Sequence, residues 1–232
     1  MRLAIMQPYF APYIGYFQLM EVADKFVVYD DVNYINKGWI NRNRLLVNGK
    51  EFLFTIPIKE ASQNKLINEL YLETDPRWRG KLLKTIEQAY KKAPYFASSF
   101  GVVEKIINAQ TDKLSDYLSN SLQKWAEWLE LNTEIVPTST VYQNTHLKAQ
   151  DRILDICRQE NATEYVNAIG GMALYDNDTF EQAGIQLYFQ KVQPIEYTQF
   201  KNDFVPWLSI IDLMMFNDKA TIQDFLKKYD LV

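Results

Sequence analysis

The stretch Arg2–Leu46, RLAIMQPYFAPYIGYFQLMEVADKFVVYDDVNYINKGWINRNRLL, determines the fold that we predict. It opens with a short apolar run, Leu3–Met6, that is long enough for one buried strand. A proline-containing turn ends this run, because proline cannot donate a ladder hydrogen bond. After Gly15 the apolar residues recur at helical spacing, and a second apolar run, Phe26–Tyr29, follows. A strand, helix and strand in this order form a βαβ unit, which requires a parallel sheet.

The remaining sequence extends this pattern into one α/β domain. The pair Asn48-Gly49 predicts a tight hairpin turn between two strands. Three amphipathic stripes predict a helical insertion at about residues 75–131. Further strands are predicted near 134–136, 164–167 and 185–189, and further helices near 148–160, 179–183, 208–216 and 221–229. We therefore predict a single Rossmann-like domain over residues 1–232, with three layers and a mostly parallel sheet.

Composition excludes several classes of protein. The 232 residues carry a net charge of -4, which argues against nonspecific nucleic-acid binding. No apolar run approaches the roughly 20 residues of a membrane helix, and no signal peptide is expected. The single His146 and the single Cys157 exclude a metal site built from histidines or cysteines. We expect a cytoplasmic protein without a protein-bound metal site.

The loops that follow parallel strands hold the ligands in folds of this kind. Polar and aromatic side chains crowd these loops in the N-terminal βαβ unit, and we place the candidate site there. The residues are Gln7, Tyr9, Gly15, Tyr16, Asp30, Asp31, Tyr34, Lys37, Trp39, Asn41, Arg42 and Asn43. Two strand-end glycines, Gly170 and Gly171, and the later Tyr197 and Gln199 are added as candidate substrate-binding residues.

The pair Asp30-Asp31 is the sharpest local feature. At a strand end, one carboxylate would bind a hydroxyl, hold Mg²⁺ or accept a proton from an attacking amine. Alternatively, one caps a turn and the other faces solvent. Asp212 lies in an apolar helix, and we expect it to bond a loop or a capping partner.

The segment Lys37–Arg44 mixes amides, cations and Trp39. If it is extended, Asn41 and Asn43 share one face, and Arg42 and Arg44 share the other. Arg42 would bind a phosphate bidentately, with Lys37 as a point charge beside it. The alternative is an exposed strand with solvated charges.

Gln7 binds a ligand or stabilises its turn. Gly15 would let a phosphate approach the first amides of the helix, although close packing explains a glycine equally well. Gly170 and Gly171 permit either a close backbone approach or a positive φ angle.

The motifs QPYFAPYIGYFQL, ADKFVVYDDVNY and GWINRNRLL, with ATEYVNAIGGMALYD and YTQFKNDFVPWLSIIDLMMFN, resemble the WbqC-like protein family. These blocks run from residue 3 to residue 217 and so cover nearly the whole chain. The resemblance implies a role in surface-polysaccharide gene clusters and the modification of an amino or deoxy sugar.

Residues 3–37 also resemble, more loosely, the opening unit of the nucleotidyltransferase and pantothenate synthetase (HUP) group. That resemblance implies binding of ATP and Mg²⁺ and the formation of an adenylate. The two motif histidines of that group fall near Pro12 and Tyr16 in this chain. Either Arg42 or Lys37 neutralises the phosphates instead, or ATP is not the substrate.

These observations lead to one leading hypothesis and one alternative. The first is an enzyme of O-antigen or surface-polysaccharide biosynthesis that transfers an acyl or aminoacyl group to a nucleotide-linked or lipid-linked amino sugar. The group is activated either by ATP on this enzyme or on a separate donor. Asp30, Asp31, Lys37 and Arg42 would be its catalytic residues. The alternative is a non-catalytic module or scaffold that binds a nucleotide sugar or a glycan.

Overall fold

The computed structural model describes residues 1–201 and 203–232. The N-terminal unit is the predicted one: β1 (Arg2–Met6), α1 (Ile14–Glu21) and β2 (Lys25–Val28). The two strands pair in parallel, with Leu3 opposite Lys25 and Met6 opposite Val28. The central residues of both strands are buried, as expected for strands that helices cover on both faces.

The other elements follow in chain order. The strands are β3 (Arg42–Val47), β4 (Lys50–Thr55), β5 (Ile58–Lys59), β6 (Tyr71–Leu72), β7 (Glu134–Val136), β8 (Glu164–Ala168), β9 (Gln186–Val192) and β10 (Tyr229–Leu231). The helices are α2 (Arg77–Tyr90), α3 (Phe96–Ile107), α4 (Leu114–Leu129), α5 (Ala149–Gln159), α6 (Asn177–Gln182), α7 (Ile210–Phe216) and α8 (Lys219–Leu226). Short 3₁₀ helices cover Ile67–Glu69, Ser139–Tyr142 and Ile169–Leu174.

The central sheet has six strands in the order β7-β2-β1-β8-β9-β10. All neighbours pair in parallel except β9 and β10, which are antiparallel. Numbered along the chain, these six strands run 3-2-1-4-5-6, which is the Rossmann order. The chain adds strands on one side of β1, then crosses to its other side at β8. The carboxyl ends of β1 and β8 therefore flank the topological switch point, where ligands bind in such sheets.

Helices cover both faces of this sheet, and alternate residues of β1 separate the two cores. Ala4 packs in the larger core, and Leu3 and Ile5 pack in the smaller one. The larger core includes residues of α1–α4, α7 and α8, and the smaller one includes residues of α5 and α6. Three layers result, as predicted. Buried Gln18 of α1 also donates to the carbonyl oxygens of Phe225 and Lys228, at 2.7 and 3.0 Å.

The hairpin and the helical segment agree with the patterns in the sequence. Asn48 and Gly49 both have positive φ angles, 52° and 74°, as a type I′ turn between β3 and β4 requires. The helices α2, α3 and α4 occupy the segment that was expected to be inserted. No described helix is both long enough and apolar enough to span a bilayer.

The C-terminal end differs from the prediction. The last helix was predicted to continue to Tyr229, but α8 ends at Leu226 and Tyr229–Leu231 form the edge strand β10. The prediction followed helical spacing alone. An antiparallel partner 39 residues earlier, with Lys191 opposite Asp230, leaves no local signal.

Candidate functional site

A cavity of about 450 Å³ lies at the switch point between β1 and β8. Its walls come mainly from the loop after β1 and the 3₁₀ helix after β8. Six of the predicted candidate residues line it: Gln7, Tyr9, Gly15, Tyr16, Gly170 and Gly171. Tyr175 lies beside them. Ile5, Met6, Tyr13, Leu19, Tyr29, Ile35, Ile153, Asn167, Ala168 and Leu174 complete the described lining. The volume suits a small molecule.

The described lining of this cavity contains no charged side chain. Its polar groups are five tyrosines, one asparagine, one glutamine and the backbone. Tyrosine rings stack on sugars and bases, and hydroxyl and amide groups form hydrogen bonds with a neutral polar ligand. This lining therefore fits an uncharged, hydroxylated ring better than a phosphate.

Tyr16 and Tyr9 form one wall. The Tyr16 hydroxyl donates to the Gln7 carbonyl oxygen at 2.8 Å, and the two rings lie 5.5 Å apart. Burial raises the pKa of Tyr9 and raises that of Tyr16 well above its usual range. Both hydroxyls therefore remain protonated near neutral pH and can donate hydrogen bonds.

Asn167, at the end of β8, supports the opposite wall. Its Nδ2 lies 2.8 Å from the Tyr165 hydroxyl and 2.9 Å from the Tyr175 hydroxyl. Its Oδ1 accepts from the Ala168 amide at 2.7 Å, which turns the chain at the strand end. Sequence reasoning did not select Asn167. The available signal was its position as a polar residue at the end of an apolar strand, three residues before Gly170.

The three glycines of the cavity have different explanations. A Cβ atom at Gly15 would lie 2.3–2.6 Å from two ring carbons and the hydroxyl oxygen of Tyr13, so packing accounts for this glycine. A Cβ atom at Gly171 would lie 3.3 Å from Asn167 Oδ1, and one at Gly170 would have no neighbour within 4 Å. Neither Gly170 nor Gly171 has a positive φ angle. A positive φ angle is therefore wrong as the reason for this pair.

Asp30 and Asp31 are buried in a structural network beyond the end of β2. Asp31 pairs with Arg152 of α5, with Oδ2 and Nη2 2.5 Å apart. Asp30 Oδ1 accepts from Thr138 Oγ1 at 2.8 Å and from the Ser139 amide at 3.0 Å. Neither carboxylate belongs to the described lining of the cavity. The alternative in which one of them faces solvent is wrong, because both are less than 5% exposed.

The pKa of Asp30 is nevertheless raised, chiefly by burial. The hydrogen bonds from Thr138 and Ser139 oppose this effect without cancelling it. A carboxyl group with a raised pKa can exchange a proton with a substrate, as general acids and bases do. Tyr29, the residue that precedes Asp30 in the chain, lines the cavity.

The Lys37–Arg44 segment lies on the β3 side of the cavity, and its faces are divided as predicted. Asn41 and Asn43 are buried, and Arg42 and Arg44 are half-buried on the other face. Asn41 binds the Tyr34 hydroxyl at 2.8 Å and the Ile56 carbonyl at 2.7 Å, so both Asn41 and Tyr34 are held by protein partners. Asn43 holds the loop after β1 by donating to the Ala11 carbonyl oxygen at 2.9 Å.

The cations of this segment lie outside the described lining of the cavity. Lys37 is exposed in a turn with a φ angle of 59°. Arg42 donates from Nε to the Gly38 carbonyl oxygen at 2.8 Å. The guanidinium carbon atoms of Arg42 and Arg44 lie 5.7 and 5.2 Å from the centre of the Trp39 ring.

Tyr197 and Gln199 surround Asp212. The Tyr197 hydroxyl donates to Asp212 Oδ2 at 2.7 Å, and Gln199 Nε2 donates to the same oxygen at 2.9 Å. Tyr90 donates to Oδ1 at 2.7 Å. The expected structural role of Asp212 is confirmed, and these bonds account for the polar groups of Tyr197 and Gln199. In the described part of the chain, no three His, Cys, Asp or Glu side chains are grouped as metal ligands.

Comparison with known proteins finds similarity over most of the chain. The model of the WbqC-like protein family matches residues 7–224. The chain is also similar to the uncharacterized protein Rv1507c of Mycobacterium tuberculosis (strain ATCC 25618 / H37Rv), with 29% identity over 230 residues that cover 97% of each chain. No solved structure matches the chain.

Proposed function

The chain belongs to the WbqC-like protein family, and from this we propose that it binds a nucleotide-linked or lipid-linked amino sugar for surface-polysaccharide or O-antigen assembly. The sugar ring would lie in the cavity between β1 and β8. The observation that carries this proposal is an uncharged, tyrosine-rich lining at the switch point of a Rossmann-ordered sheet. Tyrosine hydroxyls of the lining, the hydrogen-bonded network around Asn167 and exposed backbone groups would form hydrogen bonds with the hydroxyls and the amine substituent of the sugar ring.

The proposed reaction is transfer of an acyl or aminoacyl group to the sugar amine. The amine nitrogen forms a bond to the acyl carbon, and the bond from that carbon to the leaving group of an activated donor breaks. The amine proton must pass to a base. We assign this role to Asp30, because Asp31 is paired with Arg152 and because Tyr29, the residue before Asp30, lines the cavity. The raised pKa of Asp30 agrees with this role.

The strand order supports the likeness to the nucleotidyltransferase group, but the side chains do not fit ATP with Mg²⁺. A triphosphate requires cations or several free backbone amides. The described lining offers no lysine or arginine, and the Tyr13 ring covers Gly15 at the start of α1. The proposed donor is therefore an acyl group that another enzyme has already activated, such as a thioester.

We expect the variant Gly170→Leu to lose at least about tenfold in affinity for the sugar ligand. A leucine side chain at this position meets no protein atom near its Cβ atom and would project into the cavity. Calorimetric titration with UDP-, dTDP- and GDP-linked amino sugars measures the loss. The matched control is Gly80→Leu on the exposed surface of α2, which also has open space around the new Cβ atom. Unchanged affinity in Gly170→Leu would place the sugar elsewhere.

We expect Asp30→Asn to lower the rate of acyl transfer by about a hundredfold while ligand affinity stays within about twofold. An amide has the same shape as the carboxylate but cannot take the proton from the amine. Product formation from acyl thioester donors is followed by mass spectrometry. A parallel reaction contains ATP, Mg²⁺ and the free acid in place of the thioester. Full activity in Asp30→Asn would remove this residue from the mechanism.

The alternative function is sugar binding without catalysis. It is favoured by the absence of any titratable acid or base, other than tyrosine, in the described lining. Tight binding of the sugar without product from either donor would support it.

A further inference from the structure

A second cavity, of about 290 Å³, adjoins the first one. Tyr9 and Tyr13 line both cavities. Trp39 and Trp207 line only the second, and they are 41% and 53% exposed. Two exposed tryptophans around one cavity are unusual, because indole rings are normally buried. We refer to this space as the tryptophan cleft.

Trp207 is held in a strained conformation. Its φ angle is 60°, in the left-handed region that bulky residues rarely adopt. The following residues fix it there: Ser209 Oγ donates to the Ala11 carbonyl oxygen at 2.7 Å, and the Ile210 amide donates to the Pro12 carbonyl oxygen at 2.8 Å. Strained residues of this kind cluster at ligand sites. The strained conformation that positions the Trp207 ring therefore lowers the stability of the folded protein.

Two guanidinium groups lie near the Trp39 ring: Arg44 lines the tryptophan cleft, and Arg42 lies outside its described lining. Arg44 pairs with Glu51 at 3.0 Å and donates to the Trp207 carbonyl oxygen at 3.2 Å, so its charge is balanced. Arg42 lies near the Trp39 ring, and no carboxylate of the described residues is within ion-pair distance of it. Among the described residues, one guanidinium without an ion pair therefore lies beside the Trp39 ring, next to the tryptophan cleft.

We infer that the tryptophan cleft binds the nucleoside diphosphate part of the sugar donor or acceptor. The base would stack on Trp39 and Trp207, and the diphosphate would bind Arg42, since guanidinium groups match phosphate oxygens. The sugar would continue past Tyr9 and Tyr13 into the switch-point cavity. This inference rests on the proposed function and selects the nucleotide-linked ligand over the lipid-linked one.

The test is calorimetric titration with UDP, dTDP, GDP and ADP, none of which contains the amino sugar. We expect at least one of them to bind. Its affinity should fall about tenfold in Trp39→Ala and in Trp207→Gly, the size of effect that base stacking produces. Trp207→Gly should keep or raise the melting temperature, because glycine adopts this φ angle without strain. The control is Tyr71→Ala, which removes a ring of similar exposure, 52%, that lines neither cavity.

Two further variants distinguish binding of the diphosphate from binding of the sugar. Arg42→Gln should weaken binding of the diphosphate about tenfold and leave binding of the uncharged nucleoside unchanged. Gly170→Leu should leave nucleoside diphosphate binding unchanged while it weakens sugar binding. If no nucleoside diphosphate binds, or if both tryptophan variants bind normally, the inference is wrong even where Gly170→Leu still disrupts sugar binding. Loss of nucleotide affinity in Gly170→Leu alone would place the nucleotide in the switch-point cavity instead.

Discussion

Replacing Arg152 with methionine is expected to lower the free energy of unfolding by about 3–5 kcal/mol. Arg152 is 5% exposed at its side chain and Asp31 is 3% exposed, so neither charge is solvated. Arg152 also donates to Asn144 Oδ1 at 2.9 Å and lies 4.9 Å from the centre of the Tyr29 ring. Methionine keeps much of the packing but leaves the Asp31 carboxylate buried without its cation. Urea unfolding, followed by circular dichroism, measures the change.

Two variants test the explanation. Adding Asp31→Asn to Arg152→Met removes the uncompensated charge and should recover part of the lost free energy. Arg77→Met breaks an ion pair with Asp75 that is exposed at the surface, and it should cost much less stability than Arg152→Met. A loss below about 1 kcal/mol in Arg152→Met itself would contradict a structural role for Asp31.

Asp212→Ala is expected to destabilise the protein by about 3 kcal/mol, because three buried donors lose their acceptor. The donors come from Tyr90 on α2 and from Tyr197 and Gln199. Tyr90 also accepts from the Leu46 amide at 2.8 Å, so the network connects α2, α7 and β3. Asp224→Ala on the exposed face of α8 is the control and should change the free energy of unfolding by less than about 0.5 kcal/mol. Equal effects in the two variants would contradict this prediction.

The pH dependence gives a second measurement on Asp212. Burial raises the pKa of its carboxyl group, and the three hydrogen bonds oppose this effect. The folded protein therefore retains this proton to a higher pH than the unfolded chain does. The resulting stabilisation is complete below the unfolded pKa, about 4, and is lost as the pH rises through the folded pKa. The unfolding free energy of wild type minus that of Asp212→Asn should therefore fall as the pH rises above about 4.

The sequence was sufficient for the layers and for the place of the cavity. Three local patterns carry this prediction: the apolar run of β1, the helical spacing of α1 and the polar residues at the strand end. Each of them depends only on residues that are close together in the sequence. The carboxyl end of β1 lies at the switch point in this topology, so Gln7, Tyr9 and Tyr16 could be selected without knowledge of the strand order.

The sequence was not sufficient for the partners of the charged residues. Asp31 and Arg152 are 121 residues apart, and no local pattern shows that their side chains meet. The same limit applies to Trp207, whose neighbours Tyr13 and Arg44 come from distant segments. Its left-handed conformation follows from tertiary contacts of Ser209 and Ile210, and the Pro206-Trp207 pair alone does not predict it.

The strand order has a consequence for synthesis on the ribosome. β1 can pair with β2 as soon as the first βαβ unit has emerged, but its other partner begins with Glu164, 162 residues after Arg2. At about 5–20 residues per second, this delay lasts roughly 10–30 s. During that time one edge of an apolar strand has no partner, and such edges promote aggregation. The nascent chain would therefore depend on chaperones most strongly just before β8 is made.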